Sequence, residues 1–394
     1  MKVLLCSNEF DDSSQPPTGG IGVFNRIYIT HLNNSGLCSM DYFGLSISEC
    51  KKVNKGYKVN FFKPMFYFKT LNKVVDNSSR FILLLPFLFI IDMLNRIQFT
   101  YAIKRYILEN DIDMVECSDY KGISSLFSLF KIDSYTKVVI RTHGTNTVLS
   151  KCDVQKSNVI AKFHERLSSL CKNYIYISTS AKVAYENSFG EKSNSIVCFN
   201  GVNTSINNDK LKHKLANCNS EVKVLNFGTQ SVAKGIEIID DLSRFHVQDE
   251  SFRVRFFLAG KLTCEASEII KGNKNICYLG ILNQDELFEF LDEVDLCLFP
   301  SKFENCPMSW IESMARGIPV IVSSIPVSEE IVDNDVNGKI CKSIEEYKDA
   351  IIKLCNKDLR EQLSIQATKK ARECFSIDEM CKKSIKFYDS IILL

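Results

Sequence analysis

The sequence predicts an α/β protein built as two doubly wound parallel-sheet domains facing one another across a cleft. Short runs rich in Val, Ile and Leu alternate with longer segments of helical period, a polar stretch interrupts that alternation, and the same scheme then restarts. At 394 residues, with 45% hydrophobic and 24% charged content, the chain is too long for one core and ordinary for two.

The first half reads KVLLC, then IGVFNRIYITHL; DMVEC, then KGISSLFSLF; KVVIRTH; YIYIST, then AKVAYENSF; and IVCFNGVN. The stretch TSINNDKLKHKLANCNSE carries no apolar period and marks a boundary. Beyond it come VKVLNFG, KGIEIIDDL, VRFFLAG, NICYLG, DELFEFLDEV, DLCLFP, a helix from Pro307 and PVIVSS. We therefore expect domains at 1–205 and 221–375, a linker at 206–220, and a last helix at 376–394 packing back across the domain junction. In such sheets ligands bind at the carboxyl ends of the strands.

Composition narrows the function classes. A net charge of +2 gives no reason to expect nucleic acid as a partner. MKVLLCSNEF has too short an apolar run for a secretory signal and reads as a first strand. The sixteen cysteines form no CxxC pair and no Cys/His cluster at zinc spacing, which fits small buried hydrophobes in a reducing cytoplasm. The apolar run Phe81 to Ile91 is too short to span a bilayer and fits either a buried helix kinked near Pro86 or an interfacial membrane contact. Upstream, YKVNFFKPMFYFKTLNK interleaves lysines with aromatics, as at a headgroup boundary.

Chemistry concentrates in FPSKFENCPMSWIESMARGIPVIVSS, Phe299 to Ser324. Pro307 is placed as the first helical residue, leaving the amides near Asn305, Cys306 and Met308 as donors at a positive helix end. Glu304 lies in the loop before that helix and Glu312 about one and a half turns into it, a separation suited to gripping two parts of one polyol. A solvated loop glutamate and an exposed helical one are the alternative.

This stretch resembles the signature of the retaining glycosyltransferases of family four: Pro300-Ser301, Glu304, Glu312, MARG and IPVIVSS all match. FGTQSVAKG, FLAG, CYLG, FNGVN, RTHG and TGGIG follow the family's order over nearly the whole chain. The resemblance implies the GT-B fold, two Rossmann-like domains with an N-terminal acceptor side and a C-terminal nucleotide-sugar side. It implies that Glu304 holds the donor sugar, that Asn305, Cys306, Pro307 and Met308 present amides to sugar and distal phosphate, and that Glu312 takes the ribose diol. Lys234 matches the phosphate lysine, and Gly20 and Gly22, with Gly19 between the first strand and helix, lie near the diphosphate. His143 in RTHG would bond the donor sugar; Glu116 and Asp119 in ECSDY, after another strand, are acceptor-side candidates.

One departure stands out: Gly228 is followed by Thr229 and Gln230, where the family usually carries an arginine, so Lys261 or Arg316 is expected to supply the second cation. The implied activity is transfer of a hexose from a nucleoside diphosphate sugar with retention, needing no metal and no cofactor, the leaving phosphate taking the acceptor proton. The implied acceptor is a glycan or lipid-linked glycan of surface polysaccharide, with the enzyme cytoplasmic and in peripheral contact with the inner membrane leaflet. A sugar-nucleotide epimerase of similar fold and a non-catalytic GT-B partner subunit are the alternatives.

Overall fold

The computed structural model describes residues 1–12, 20–54, 56–67, 75, 82–152, 156–204, 221–245 and 253–393. The chain divides into two compact units, Met1–Asn200 with Asp378–Leu394, and Gly201–Ile377. The linker expected at 206–220 lies outside the described residues.

The N-terminal unit carries β1 (Lys2–Ser7), β2 (Ser39–Leu45), β3 (Cys50–Asn54), β4 (Tyr57–Phe62), β5 (Met114–Ser118), β6 (Lys137–Thr142), β7 (Asn173–Tyr176) and β8 (Asn194–Val197). They form one sheet in the order β3-β4-β2-β1-β5-β6-β7-β8. All neighbours are parallel except β3, which returns along β4 beside Gly56 at φ 95°. The central strands KVLLCS and MVECS are buried along nearly their whole length, on both faces, the signature of a parallel sheet.

The C-terminal unit carries β9 (Glu221–Phe227), β10 (Arg253–Ala259), β11 (Ile276–Tyr278), β12 (Leu296–Phe299), β13 (Val320–Ser323) and β14 (Gly338–Cys341), all parallel, in the order β11-β10-β9-β12-β13-β14. Its core is built from Val222 and Val224 on β9, Phe256 and Leu258 on β10, Leu296 and Leu298 on β12, and Ile236 and Ile239 on the helix Ile236–Ser243.

From Asp378 onward the last helix, Ile377–Ile392, belongs to the N-terminal unit. Asp378 pairs with His31 at 2.9 Å, and the Tyr388 hydroxyl meets that of Tyr28 at 2.9 Å.

Five local expectations change. Pro86 starts the helix Leu85–Asn110 instead of kinking it, because its missing N–H falls in the first turn where no intrahelical acceptor is needed. That helix is not buried all round: Leu88 and Ile91 face the core, while Phe87, Ile90 and Leu94 are exposed. Tyr57, Val59 and Phe61 lie in the core of β4, so this part of the aromatic and basic stretch packs inward, while Phe68, Lys69 and Lys73 lie outside the described residues. The helix Gly20–Ser35 begins at Gly20, which places Gly20 and Gly22 in its first turn, not in a loop ahead of it; Gly19 is outside the described residues. The described cysteines are free thiols, and Cys6, Cys117, Cys198, Cys297 and Cys381 are buried; Cys152, Cys264 and Cys374 are exposed instead.

Candidate functional site

In the C-terminal unit β9 and β12 are neighbours at the point where strand order reverses, and the loops leaving their carboxyl ends lie where ligands bind in such sheets. After β9 the chain turns at Gly228, φ 115°, and enters a short 3-10 turn, Val232–Lys234. Gly235 then adopts φ 76°, and a Cβ there would lie 2.1 Å from the Pro300 carbonyl oxygen. Only glycine satisfies both the left-handed backbone and the close approach. The Lys302 amide donates to the Ala233 carbonyl at 2.9 Å, so the two loops are stitched together.

That stitching sets Lys234 against Glu304, with Nζ 2.5 Å from Oε1. Lys234 is 39% exposed and Glu304 12%, so the ammonium is the accessible partner. Two of the residues read from the sequence are thus brought together as an ion pair, although they stand 70 positions apart.

The following helix is Met308–Ala315, with Pro307 as its N-cap, one residue earlier than expected for a first helical proline. No side chain caps it; the Pro307 carbonyl accepts from Trp310 and Ile311, and the Met308 and Ser309 amides precede any intrahelical acceptor. A positive helix end with open donors therefore sits one loop away from Lys234. Asn305 and Cys306 form the link, with Cys306 buried.

Glu312 lies within that helix, half-buried between the buried Ile311 and Ser313. Burial pushes its carboxyl up to about 7, against the opposing pull of Arg316. Arg316 stacks on the Phe288 ring, 3.9 Å from its centroid, and pairs with Asp292 at 3.0 Å. Its guanidinium is thus occupied within its own neighbourhood. Lys261 is exposed, and its carbonyl accepts from the Gln230 amide at 2.8 Å, which sets it at the same carboxyl edge as Thr229. Gln230 itself is buried, its Nε2 donating to the Ala259 and Gly228 carbonyls at 3.1 and 3.3 Å. It braces the loop and leaves Thr229 exposed at the tip.

In the N-terminal unit, Asp119 follows β5 and His143 follows β6. Asp119 accepts from the His143 amide at 2.7 Å and from the Gly144 amide at 3.2 Å. Burial pushes its carboxyl up to about 7 despite these bonds. Asp119 therefore holds the backbone of the turn that presents His143. The His143 ring, half-buried, stands edge-on to Phe24 at 5.1 Å; burial, and then the nearby Arg141 charge, pull it down to about 3. At that value the imidazole is neutral at physiological pH and able to give or take a hydrogen bond.

Glu116 is placed differently from its expectation. It lies inside β5, not after it, fully buried, with Oε1 2.8 Å from Arg141 Nε and Oε2 bonded to Tyr388. Arg141 also donates to Tyr28 at 3.2 Å and Ser384 at 2.9 Å. Satisfaction of this buried ion pair consumes the carboxylate, so it serves packing and is not available to an acceptor. Gly20 is exposed with open space at its Cβ position, whereas Gly22 is buried and its carbonyl accepts from Asp11 at 3.1 Å. Sequence reasoning passed over Glu165, which accepts from the Asn146 and Thr147 amides at 2.6 and 2.9 Å and so anchors the segment after His143.

Residues 221–357 match the family model described as Glycosyl transferases group 1. The uncharacterized glycosyltransferase MJ1607 of Methanocaldococcus jannaschii is 31% identical over 118 residues, 29% of this chain and 30% of that protein. The O-antigen biosynthesis glycosyltransferase WclY of Escherichia coli is 26% identical over 181 residues, 42% of this chain and 44% of that protein. The chain thus spans less than half the length of either curated relative. Among solved structures, sucrose-phosphate synthase from Thermosynechococcus elongatus superposes with TM-score 0.78 at 14% identity, covering 100% of this chain and 99% of that one. Anabaena Alr3699/HepE in complex with UDP gives 0.70 at 16% identity, covering 99% and 100%.

Two parallel-sheet α/β units with these structural neighbours define the GT-B fold. Residues 221–357 are thus similar to the glycosyl transferases of group 1.

Proposed function

We propose that this protein transfers a hexose, with retention of configuration, from a nucleoside diphosphate sugar to a glycan acceptor, lipid-linked, in the assembly of a surface polysaccharide at the inner face of the plasma membrane. The observation that carries the reading is the Lys234–Glu304 pair beside an uncapped helix start, with Glu312 further along the same helix. The accessible ammonium and the helix amides suit a diphosphate, and they stabilise the charge that grows on it as the glycosyl bond breaks. Glu304 offers acceptor oxygens to sugar hydroxyls, and Glu312 offers two to a ribose diol. Lys261 is our candidate for the second phosphate cation that Thr229 does not supply.

On this reading no side chain acts as nucleophile. The departing phosphate takes the acceptor proton, neutral His143 bonds the donor sugar, and Asp119 holds the His143 turn in place. The fold neighbour HepE forms a complex with UDP, which supports a nucleotide ligand, and WclY acts in O-antigen biosynthesis, which supports a polysaccharide acceptor.

A thermal-shift panel of nucleoside diphosphates and their sugars tests the donor. A nucleotide that binds the folded state raises Tm, and the rise should vanish in Glu312→Ala. A flat response to every nucleotide at millimolar concentration would overturn the reading.

A further inference from the structure

The N-terminal unit carries a second feature, on its surface. Along the helix Leu85–Asn110 and the turn Ile82–Leu84 before it, Leu83, Phe87, Ile90, Leu94, Tyr101 and Leu108 recur at spacings of three, four and seven, and so share one face. That face is open: exposure runs from 41% at Leu94 to 96% at Leu83. At 1.5 Å per residue the stripe extends over roughly 35–40 Å. Phe89 on its flank meets Phe163 at 4.9 Å, which brings the helix Val159–Ser168 alongside and adds the exposed side chains of Val159 and Phe163. A run of exposed apolar side chains on this scale marks a contact surface.

Charge indicates what the surface meets. Of the carboxylates on these two helices, Asp92 is held by Arg96 at 2.7 Å and Glu165 is buried on the Asn146 and Thr147 amides. Glu109 is bonded to Arg105 at 2.6 Å. With Arg105 balanced by Glu109 and Lys104 lying over the Tyr135 ring at 4.4 Å, the cations beside Phe163 are Lys162 and the exposed Arg166. An apolar stripe with a cationic rim is complementary to a bilayer surface containing anionic lipid, into which such a face sinks by several ångströms. A second copy of this chain would bring the same cations against one another. Among the described residues no helix is long and apolar enough to cross a membrane, so the contact is made along the surface.

We propose that the face formed by Leu83, Phe87, Ile90, Leu94, Tyr101 and Leu108, rimmed by Lys162 and Arg166, docks the N-terminal unit on an anionic membrane surface. This deepens the lipid-linked acceptor reading by naming the surface that meets the membrane.

The test is flotation of the full chain with vesicles of phosphatidylethanolamine and phosphatidylglycerol, and separately with phosphatidylcholine alone. Wild type should float with the anionic vesicles at low salt and about ten-fold less with the neutral ones. The double substitution Ile90→Glu with Leu94→Glu, and separately Lys162→Glu with Arg166→Glu, should each cut the bound fraction at least about five-fold. The UDP-induced rise in Tm, measured on the same samples, reports folding and nucleotide binding independently of the vesicles. Variants that float like wild type, or wild type that does not float, would overturn the docking face while leaving the donor reading standing. A dimer that dissociates in the Glu variants without any vesicle binding would overturn it in favour of a contact between copies.

Discussion

Lys234 Nζ lies 2.5 Å from Glu304 Oε1, across two loops that leave neighbouring strands of the C-terminal sheet. A diphosphate arriving at this site competes with Glu304 for the ammonium. Lys234→Ala should weaken nucleoside diphosphate affinity by about ten-fold or more, whereas Glu304→Ala should leave it within about three-fold and lower mainly the rate of sugar transfer. A double-mutant cycle on Tm and nucleotide Kd should show coupling of about 0.5–3 kcal/mol between the two. Equal loss of affinity in both single variants would break this division of roles.

Glu312 sets a pH dependence whose sign is determined. Its carboxyl is raised from 4.5 to about 7 in the folded chain, so between those values the folded state keeps a proton that the unfolded state has lost. The stability this contributes is fully present below about 4.5 and falls as pH rises through about 7. Compared with Glu312→Gln, wild type should become progressively less stable across that window and level off above it. Denaturant titrations of both proteins from acid to neutral pH measure the difference.

Gly235 has no tolerated replacement. In Gly235→Ala the new Cβ would meet the Pro300 carbonyl oxygen at 2.1 Å, on a backbone at φ 76°. A destabilisation of about 2–4 kcal/mol is expected, together with loss of the UDP-induced thermal shift as the two loops separate. Gly20→Ala, with open space around its Cβ position, serves as the control and should change stability by less than about 1 kcal/mol.

Asp119 acts through the His143 turn. Asp119→Ala strands two backbone donors and should cost about 1–3 kcal/mol, with transfer reduced about ten-fold or more and nucleotide affinity unchanged. Asp119→Asn keeps an acceptor oxygen and should recover much of the loss. Because His143 stays neutral, His143→Gln should retain more activity than His143→Ala, and neither should move a pH–rate limb near 6.5.

Much of this molecule is written in local pattern, and the remainder depends on long-range pairing. β9 and β12 are apolar runs ending at Gly228 and Pro300, and such runs announce buried parallel strands wherever they occur. The Lys234–Glu304 contact leaves no trace in spacing, since the loops are brought together by sheet order and by the Lys302 to Ala233 bond. Glu116 illustrates a boundary problem: two residues decide whether a glutamate in ECSDY ends a strand or opens a loop, and a buried partner such as Arg141 lies 25 positions away. The helix at Leu85–Asn110 shows a different limit. Its apolar residues are spread around the whole circumference and polar Asn95 and Arg96 lie on the buried side, so no periodicity distinguishes the covered face from the open one.

The return of the chain to its first unit bears on synthesis. The C-terminal unit, Gly201–Ile377, is contiguous and can finish folding as soon as it leaves the ribosome. The unit begun earlier must wait, because Tyr388 and Ser384, which complete the cradle of the buried Arg141, are translated after everything else it contains. A chain truncated before Asp378 would hold all of the second unit, together with a first one whose central guanidinium still lacks those partners. The unit that is begun first is thus the last to be completed.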